Sequence, residues 1–323
     1  MIGGGPAGST AASMAAKSGL TVKICERSKF PREHVGESLL PASIAILEEL
    51  GLKEAISNAG FLPKYGATMV WGKDETPWSW RFSETNKRNI HSYQVSRPIF
   101  DEILLKRSAE LGVLVEEESS VGKIMIDDSN RGAVVINKNG QQYFQPAKFI
   151  VDASGQSALL ARNLNLRQWD ENFQNLAVYG YFTGAKKLPI PDENNIFIES
   201  YENGWVWTIP LNGDITSVGA VVDSNKSAAE LRKVDSRTFL EDQLSLTNRT
   251  CDMLSQAELQ SDAKILKDWS YTTSKMAGDG WVLAGDAACF IDPLFSSGVH
   301  LAMMSGVLAS AYAVTYLKDK ILG

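Results

Sequence analysis

Hydrophobic residues along this chain follow two periods, and the changes between them divide it into segments. Residues 6–18 are alanine-rich and helical in pattern, as are residues 39–50 and, more briefly, 55–59. Residues 67–71 and 78–82 then alternate apolar and polar positions, which predicts strands of an antiparallel sheet. Arg97-Pro98-Ile99-Phe100-Asp101 opens an amphipathic helix that reaches Leu111, with Pro in its first turn and Gly112 just past its end. Short apolar runs at 113–115, 123–126, 133–136 and 149–151 predict further strands. From 176 to 222 the pattern is strand-like again, with turn dipeptides at Asn203-Gly204 and Asn212-Gly213. Residues 227–246 and 253–259 read as helices, 269–274 and 281–284 as strands, and 297–317 as a long helix.

Segments with helix–strand character thus enclose two blocks of antiparallel pattern, and no Ser- or Pro-rich linker separates them. The expected organisation is α/β, with two interleaved domains. Residues 1–62, 92–160 and 275–323 would form a Rossmann-like dinucleotide domain, and residues 63–91 and 161–274 an antiparallel β-sheet substrate domain. With 323 residues, 44% of them hydrophobic, the chain is long enough for two cores. A substrate would bind where the two domains meet.

Glycine-rich stretches near the two ends carry the clearest chemistry. In Gly3-Gly4-Gly5-Pro6-Ala7-Gly8, Gly3 allows a tight turn, Gly5 lets the backbone approach a pyrophosphate, and Gly8 lets the following helix pack closely. Pro6 and Ala7 begin that helix, whose N-terminus suits phosphates. Glu26, at the end of the apolar run 20–25 and followed by Arg27, is placed to meet a ribose hydroxyl. Gly285-Asp286 follows the short strand 281–284, where a carboxylate can hold ribityl hydroxyls. Asp152 and Gly155 make a similar turn after 149–151. Two strand–turn–helix sites in one chain fit the phosphate and ribityl ends of one bound FAD.

The remaining composition mainly excludes. A net charge of −6 and no cluster of Lys and Arg argue against a nucleic-acid partner. No apolar run of transmembrane length and no signal peptide are apparent, so a cytoplasmic protein without a transmembrane segment is expected. Cys25, Cys251 and Cys289 are isolated, and His34, His91 and His300 are the three histidines, so no metal site is expected.

Together these residues resemble the FAD domain of the para-hydroxybenzoate hydroxylase fold and, within it, the flavin-dependent halogenases, over nearly the whole chain. Arg97-x-x-Phe100-Asp101 and Gly285-Asp286 are shared elements. Gly204-Trp205-Val206-Trp207-Thr208-Ile209-Pro210 is similar to the halogenases' Trp-x-Trp-x-Ile-Pro motif, and Phe290 to Gly298 to their Phe-x-x-Pro-x-x-Ser-x-Gly element. Pro63-Lys64-Tyr65-Gly66 resembles the segment bearing their catalytic lysine, which maps onto Lys64. Gly36-Glu37-Ser38-Leu39 resembles a flavin-side loop, placing Glu37 and Ser38 near the cofactor.

The resemblance implies a reaction in which reduced FAD, oxygen and halide give an electrophilic halogen that Lys64 delivers to an electron-rich aromatic substrate, free or tethered to a carrier protein. A separate flavin reductase would supply FADH2. The halide would sit against backbone amides near Ser297 and Gly298, and Trp205 and Trp207 would keep substrate off the flavin, unless they serve sheet packing alone. Arg97 is either a cofactor contact or a charge at a helix start. Two departures stand out: little sequence precedes Gly3 to make the first parallel strand, and the helical C-terminal region of such halogenases is apparently absent. Other readings are an isoprenoid reductase resembling geranylgeranyl reductases, whose aromatic-x-Trp-x-Phe-Pro element 205–210 approximates, a flavin monooxygenase, or an inactive FAD-binding fragment.

Overall fold

The computed structural model describes residues 1–126 and 132–318; the last five residues of the segment expected at 275–323 lie outside it. Strands Lys23–Cys25 and Leu114–Glu116 pair in parallel, as do Ile150–Asp152 and Trp281–Leu283. Residues 1–3 join these pairs. Ile2 donates to Val151 O at 2.9 Å, Gly3 N to Cys25 O at 2.9 Å and Cys25 N to Met1 O at 3.0 Å, so Ile2 bridges both Cys25 and Asp152. The short residue stub therefore fills the central slot. Ala7, Ala11, Val151, Ala153, Val282, Ala284 and Ala309 pack between this sheet and the helices Pro6–Lys17 and Gly298–Lys318. Small side chains let the helices approach: a Cβ on Gly306 would lie 2.5 Å from Ala7 O.

The larger sheet has eight strands. Its centre runs from Arg167–Thr183 through Ile215–Asp223 and Gly204–Pro210 to Ile196–Tyr201, all antiparallel, and continues in parallel to Gly66–Val70. Alternate residues face opposite ways. Trp205, Trp207, Ile209 and Ala177 lie on one face. Val206, Val218, Ala220 and Val222 lie on the other, beneath Phe239, Leu240 and Leu244 of the helix Ser236–Ser245. The second face is covered by that helix, and the first, with Ala177, Trp205, Trp207 and Ile209, faces the cavity described below.

Several expectations are corrected. Residues 253–259 are not helical: the helix Arg249–Met253 ends where this segment was to start, and Glu258–Leu259 is an edge strand on Thr183. The helix expected at 227–246 is two, Ser224–Ser227 and Ser236–Ser245, each capped by an aspartate, Asp223 and Asp235, that accepts backbone N–H groups. The turn expected at Asn203-Gly204 falls one residue earlier, at Glu202-Asn203, and Gly204 opens the strand opposite Tyr201 and Val222, so close to the Val221 carbonyl that no Cβ fits. A third strand, Gln141–Ala147, extends the hairpin Ser119–Ile126/Gly132–Lys138 and went unread because its alternation is carried by glutamines. The helix Gly298–Lys318 is long and apolar enough to cross a membrane by length and composition alone, a test that a core helix passes as readily, so it does not overturn the expectation of no transmembrane segment. One face of it, including Met303, Gly306, Ala309 and Ala313, is buried against the domain.

Candidate functional site

Both glycine motifs open onto one cavity of about 970 Å3, at the upper end of the roughly 300–1,000 Å3 usual for small-molecule sites. Gly3 has φ +94°, and a Cβ there would sit 2.4 Å from Ala153 O; at Gly8 it would sit 2.0 Å from Gly3 O. Close backbone approach therefore demands both glycines. Gly5 differs: its added Cβ would meet only the guanidinium end of Arg32, at 3.3 Å. Gly5, Pro6 and Ala7 line the cavity, where the free N–H groups of the first helical turn open.

The acids and bases expected here fall into two groups. Glu26 lines the cavity, but its carboxylate is already engaged, accepting from Gly4 N at 2.7 Å and Ser28 N at 2.8 Å. It therefore braces the glycine loop as well as facing a ligand. Arg27 reaches Ser157 Oγ at 3.3 Å on the rim. Arg97 is buried and bidentate to Asp101, both contacts 2.8 Å, and donates to Val35 O at 2.6 Å. Arg97 thus lines the cavity, as a cofactor contact would, while also pairing with Asp101 and holding the loop before Glu37. Glu37 lines the cavity beside it, accepts from Tyr181 OH at 2.8 Å, and burial raises its carboxyl above the usual range. Ser38 also lines the cavity, with its Oγ buried and unpartnered among the described residues.

At the second turn, Asp152 does not reach the cavity. It is fully buried and caps the following turn, accepting from Ser154 N at 3.0 Å and Leu160 N at 2.7 Å, so its expected cofactor contact is corrected to a bracing one. Gly155 and Gly285 line the cavity with φ +63° and +61°. Asp286 lines it too, makes no side-chain hydrogen bond among the described residues, and is held up to about 6 by burial, against the pull of Arg97. Ser297 and Gly298 stand at the start of the long helix, and a Cβ on Gly298 would meet open space. Across the cavity stand Trp205 and Trp207, ring centroids 6.1 Å apart, with Trp207 Nε1 donating to Ser217 Oγ at 3.2 Å.

Arg32 was missed by sequence reasoning. It lines the cavity beside Gly5, stacks 4.8 Å from the Phe30 ring centroid, and pairs with Asp101 at 3.0 Å. It is one of three basic residues in the loop after Glu26, with Arg27 and Lys29, and nothing in the sequence set it apart from them.

Lys64 is not among the cavity-lining residues. It is 1% exposed, on the strand Leu62–Lys64 paired to Ser92–Gln94. Its Nζ donates to Leu39 O at 3.2 Å and lies 5.3 Å from the centroid of the Phe82 ring. Among the described residues no carboxylate pairs with it, and desolvation holds the amine down to about 7.

An open glycine cradle, a free carboxylate and a guanidinium on one large cavity define an α/β protein built to bind a phosphate-bearing cofactor. The chain belongs to the tryptophan halogenase family, whose model matches residues 1–91 and 85–316. A tryptophan 2-halogenase of Chondromyces crocatus is 36% identical over 99% of this chain and 62% of its own length. A chlorinase of Pseudomonas fluorescens, named for a pyrrole-2-carbonyl group on a peptidyl-carrier protein, is 35% identical over 99% of this chain and 76% of its own. The crystal structure of CmlS, a flavin-dependent halogenase, superposes with a TM-score of 0.94 at 39% identity, covering 99% of this chain and 58% of that one. The chain thus spans about three-fifths of the length of the halogenases heading each comparison.

Proposed function

We propose that this chain is the flavin-binding and halogen-transferring part of a flavin-dependent halogenase acting on an electron-rich aromatic substrate. The observation that carries it is a cavity faced by Gly5 and Asp286 and walled by Trp205 and Trp207, with a lysine buried behind it whose Nζ ends on Leu39 O, next to the cavity-lining Ser38. The donor set fits FAD: N–H groups and Arg32 for the pyrophosphate, Glu26 for the ribose and Asp286 for the ribityl chain. When bound, reduced FAD with oxygen supplies the oxidant that turns halide into hypohalous acid. The N–H groups at Ser297 and Gly298 would hold the halide, and the tryptophans would keep the aromatic substrate away from the flavin. Lys64, partly neutral near pH 7, would take up the halogen and direct it to one carbon.

A separate reductase would supply the reduced flavin, and the acceptor is an aromatic molecule, free or carrier-bound. Product analysis by mass spectrometry tests the reading, with reduced FAD, oxygen, chloride or bromide and a panel of phenols, indoles and pyrroles. A halogenated product is expected from the wild type. Lys64→Ala is expected to keep flavin binding and reoxidation while losing that product; unchanged halogenation by Lys64→Ala overturns the assignment.

A further inference from the structure

Lys64 lies outside the cavity, so something must connect the two. The segment 37–39 adds a third strand to the ribbon of Leu62–Lys64 and Ser92–Gln94: Leu39 N donates to Tyr93 O at 3.0 Å and Val95 N to Glu37 O at 2.8 Å. In this ribbon Lys64 stands opposite Ser92, and Gln94 opposite both Leu62 and Ser38. Cross-strand partners and residues two apart share a face, with opposed Cβ atoms about 4.5–5.5 Å apart. Ser38, Gln94, Ser92 and Lys64 therefore project from the same face.

The side chains on that face are polar, buried and under-used. Ser38 is 5% exposed, Ser92 0% and Gln94 1%. Among the described residues Ser38 Oγ, Ser92 Oγ and Gln94 Oε1 have no hydrogen-bond partner, and Gln94 is held through its amide nitrogen, to Asn194 O at 3.0 Å. Unpartnered buried groups in a row are costly unless something polar joins them. Lys64 crosses the ribbon to end on Leu39 O, one residue from Ser38, and Ser38 lines the cavity.

We propose that Ser38 is the hand-over residue between the cavity and Lys64, its hydroxyl receiving hypohalous acid from the cavity side while Ser92 and Gln94 complete the polar niche in which the Lys64 amine meets it. The inference rests on the halogenase reading and assigns to Ser38 a task beyond cofactor contact. In the step itself, the lone pair of the neutral amine attacks the halogen, an N–halogen bond forms and the halogen–oxygen bond breaks. The hydroxide released takes a proton from the nitrogen and leaves as water, giving a haloamine. Desolvation of Lys64 supplies the neutral amine.

Reagent hypochlorous acid tests this on the full chain without flavin turnover. Protein is treated with about one equivalent of hypochlorite, chloramines are trapped as sulfonamides with an aryl sulfinate, and labelled lysines are quantified by peptide mass spectrometry. Lys53 and Lys106, with side chains 81% and 67% exposed, serve as internal references. Lys64 is expected to label at a rate comparable with theirs despite its burial. Ser38→Ala is expected to lower Lys64 labelling about tenfold, the loss of one hydrogen bond, with Lys53 and Lys106 unchanged. Ser38→Thr is expected to restore it and Ser92→Ala to lower it less.

Wild-type Lys64 that stays unlabelled while the references react overturns the proposal, as does Ser38→Ala labelling at the wild-type rate. Turnover separates the two readings. If Lys64 labels through Ser38 but no aromatic product forms with reduced FAD, oxygen and halide, the halogenase reading falls and the hand-over stands. If the wild type halogenates and Ser38→Ala gives as much product per flavin oxidised, the hand-over falls and the halogenase reading stands.

Discussion

Lys64 donates to the carbonyl of Leu39 at 3.2 Å from a position 1% exposed. Among the described residues that carbonyl is its sole hydrogen-bond acceptor, with the Phe82 ring on another side. A cation in this setting lacks most of its hydration, so the neutral amine is favoured.

Stability should therefore depend on pH through this residue. The folded amine titrates near 7 and an unfolded lysine near 10.4, so between those values the unfolded chain binds the extra proton and wild-type stability rises with pH. Burial of the ammonium costs most below pH 7. Lys64→Met should be more stable than wild type there, by on the order of a few kcal/mol, with the difference gone above about pH 10.5. Urea titrations of both proteins at pH 6.5 and 9.5 measure it; parallel pH profiles count against a buried cationic Lys64.

Asp286 should govern flavin affinity. Its carboxyl titrates near 6 because of burial, and the ionised form is the better acceptor for ribityl hydroxyls. FAD affinity should rise from pH 5 to pH 7 and then level off. Asp286→Ala should weaken binding by about 1.5–3 kcal/mol, ten- to a hundredfold, and flatten that pH dependence. An unchanged FAD titration in the variant would falsify the contact.

Two glycines, Gly8 behind the glycine loop and Gly298 on the cavity, should behave oppositely. Gly8→Ala would put a methyl 2.0 Å from Gly3 O, and backbone has no rotamer with which to yield, so a loss of about 1–3 kcal/mol and poorer flavin retention are expected. Gly298→Ala meets open space and should stay within about 0.5 kcal/mol of wild type. Thermal melts with and without FAD compare them; equal melting temperatures for the two variants contradict the steric account.

Gly219→Ala probes the tryptophan wall. The added Cβ would lie 2.4 Å from the Trp207 ring and 2.6 Å from Tyr179 Cβ, so Trp207 must shift and give up its bond to Ser217. A destabilisation of about 1–3 kcal/mol and an altered tryptophan emission spectrum are expected. A variant with wild-type emission and stability shows that the ring is not held where Gly219 admits it.

The sequence by itself determined the elements whose signals are local. Glycine spacing at 3–8 marks a loop whose steric demands are met within the loop and its neighbouring strands. The Pro–Phe–Asp start of the helix Arg97–Glu110 and the strand before Gly285 carry their own boundaries. Short-range signals failed where a neighbour decides: 253–259 is part strand because Thr183 offers an edge, and Gly204 is a strand residue because it pairs with Tyr201 and Val222.

Roles divide in the same way. Residue type foretold an acid at 26, 152 and 286, but only tertiary structure decided that Glu26 braces its loop, that Asp152 is sealed in a turn, and that Asp286 keeps a free carboxylate on the cavity. The motif around Lys64 marks a lysine of interest, yet its burial, its depressed proton affinity and the face it shares with Ser92, Gln94 and Ser38 depend on pairing segments 37–39, 62–64 and 92–94. Those segments are distant in the chain, and a one-residue change of register would turn the same side chains to opposite faces. Local sterics and periodicity act within a few residues and are written in the sequence; desolvation and polar connectivity arise only when remote strands meet.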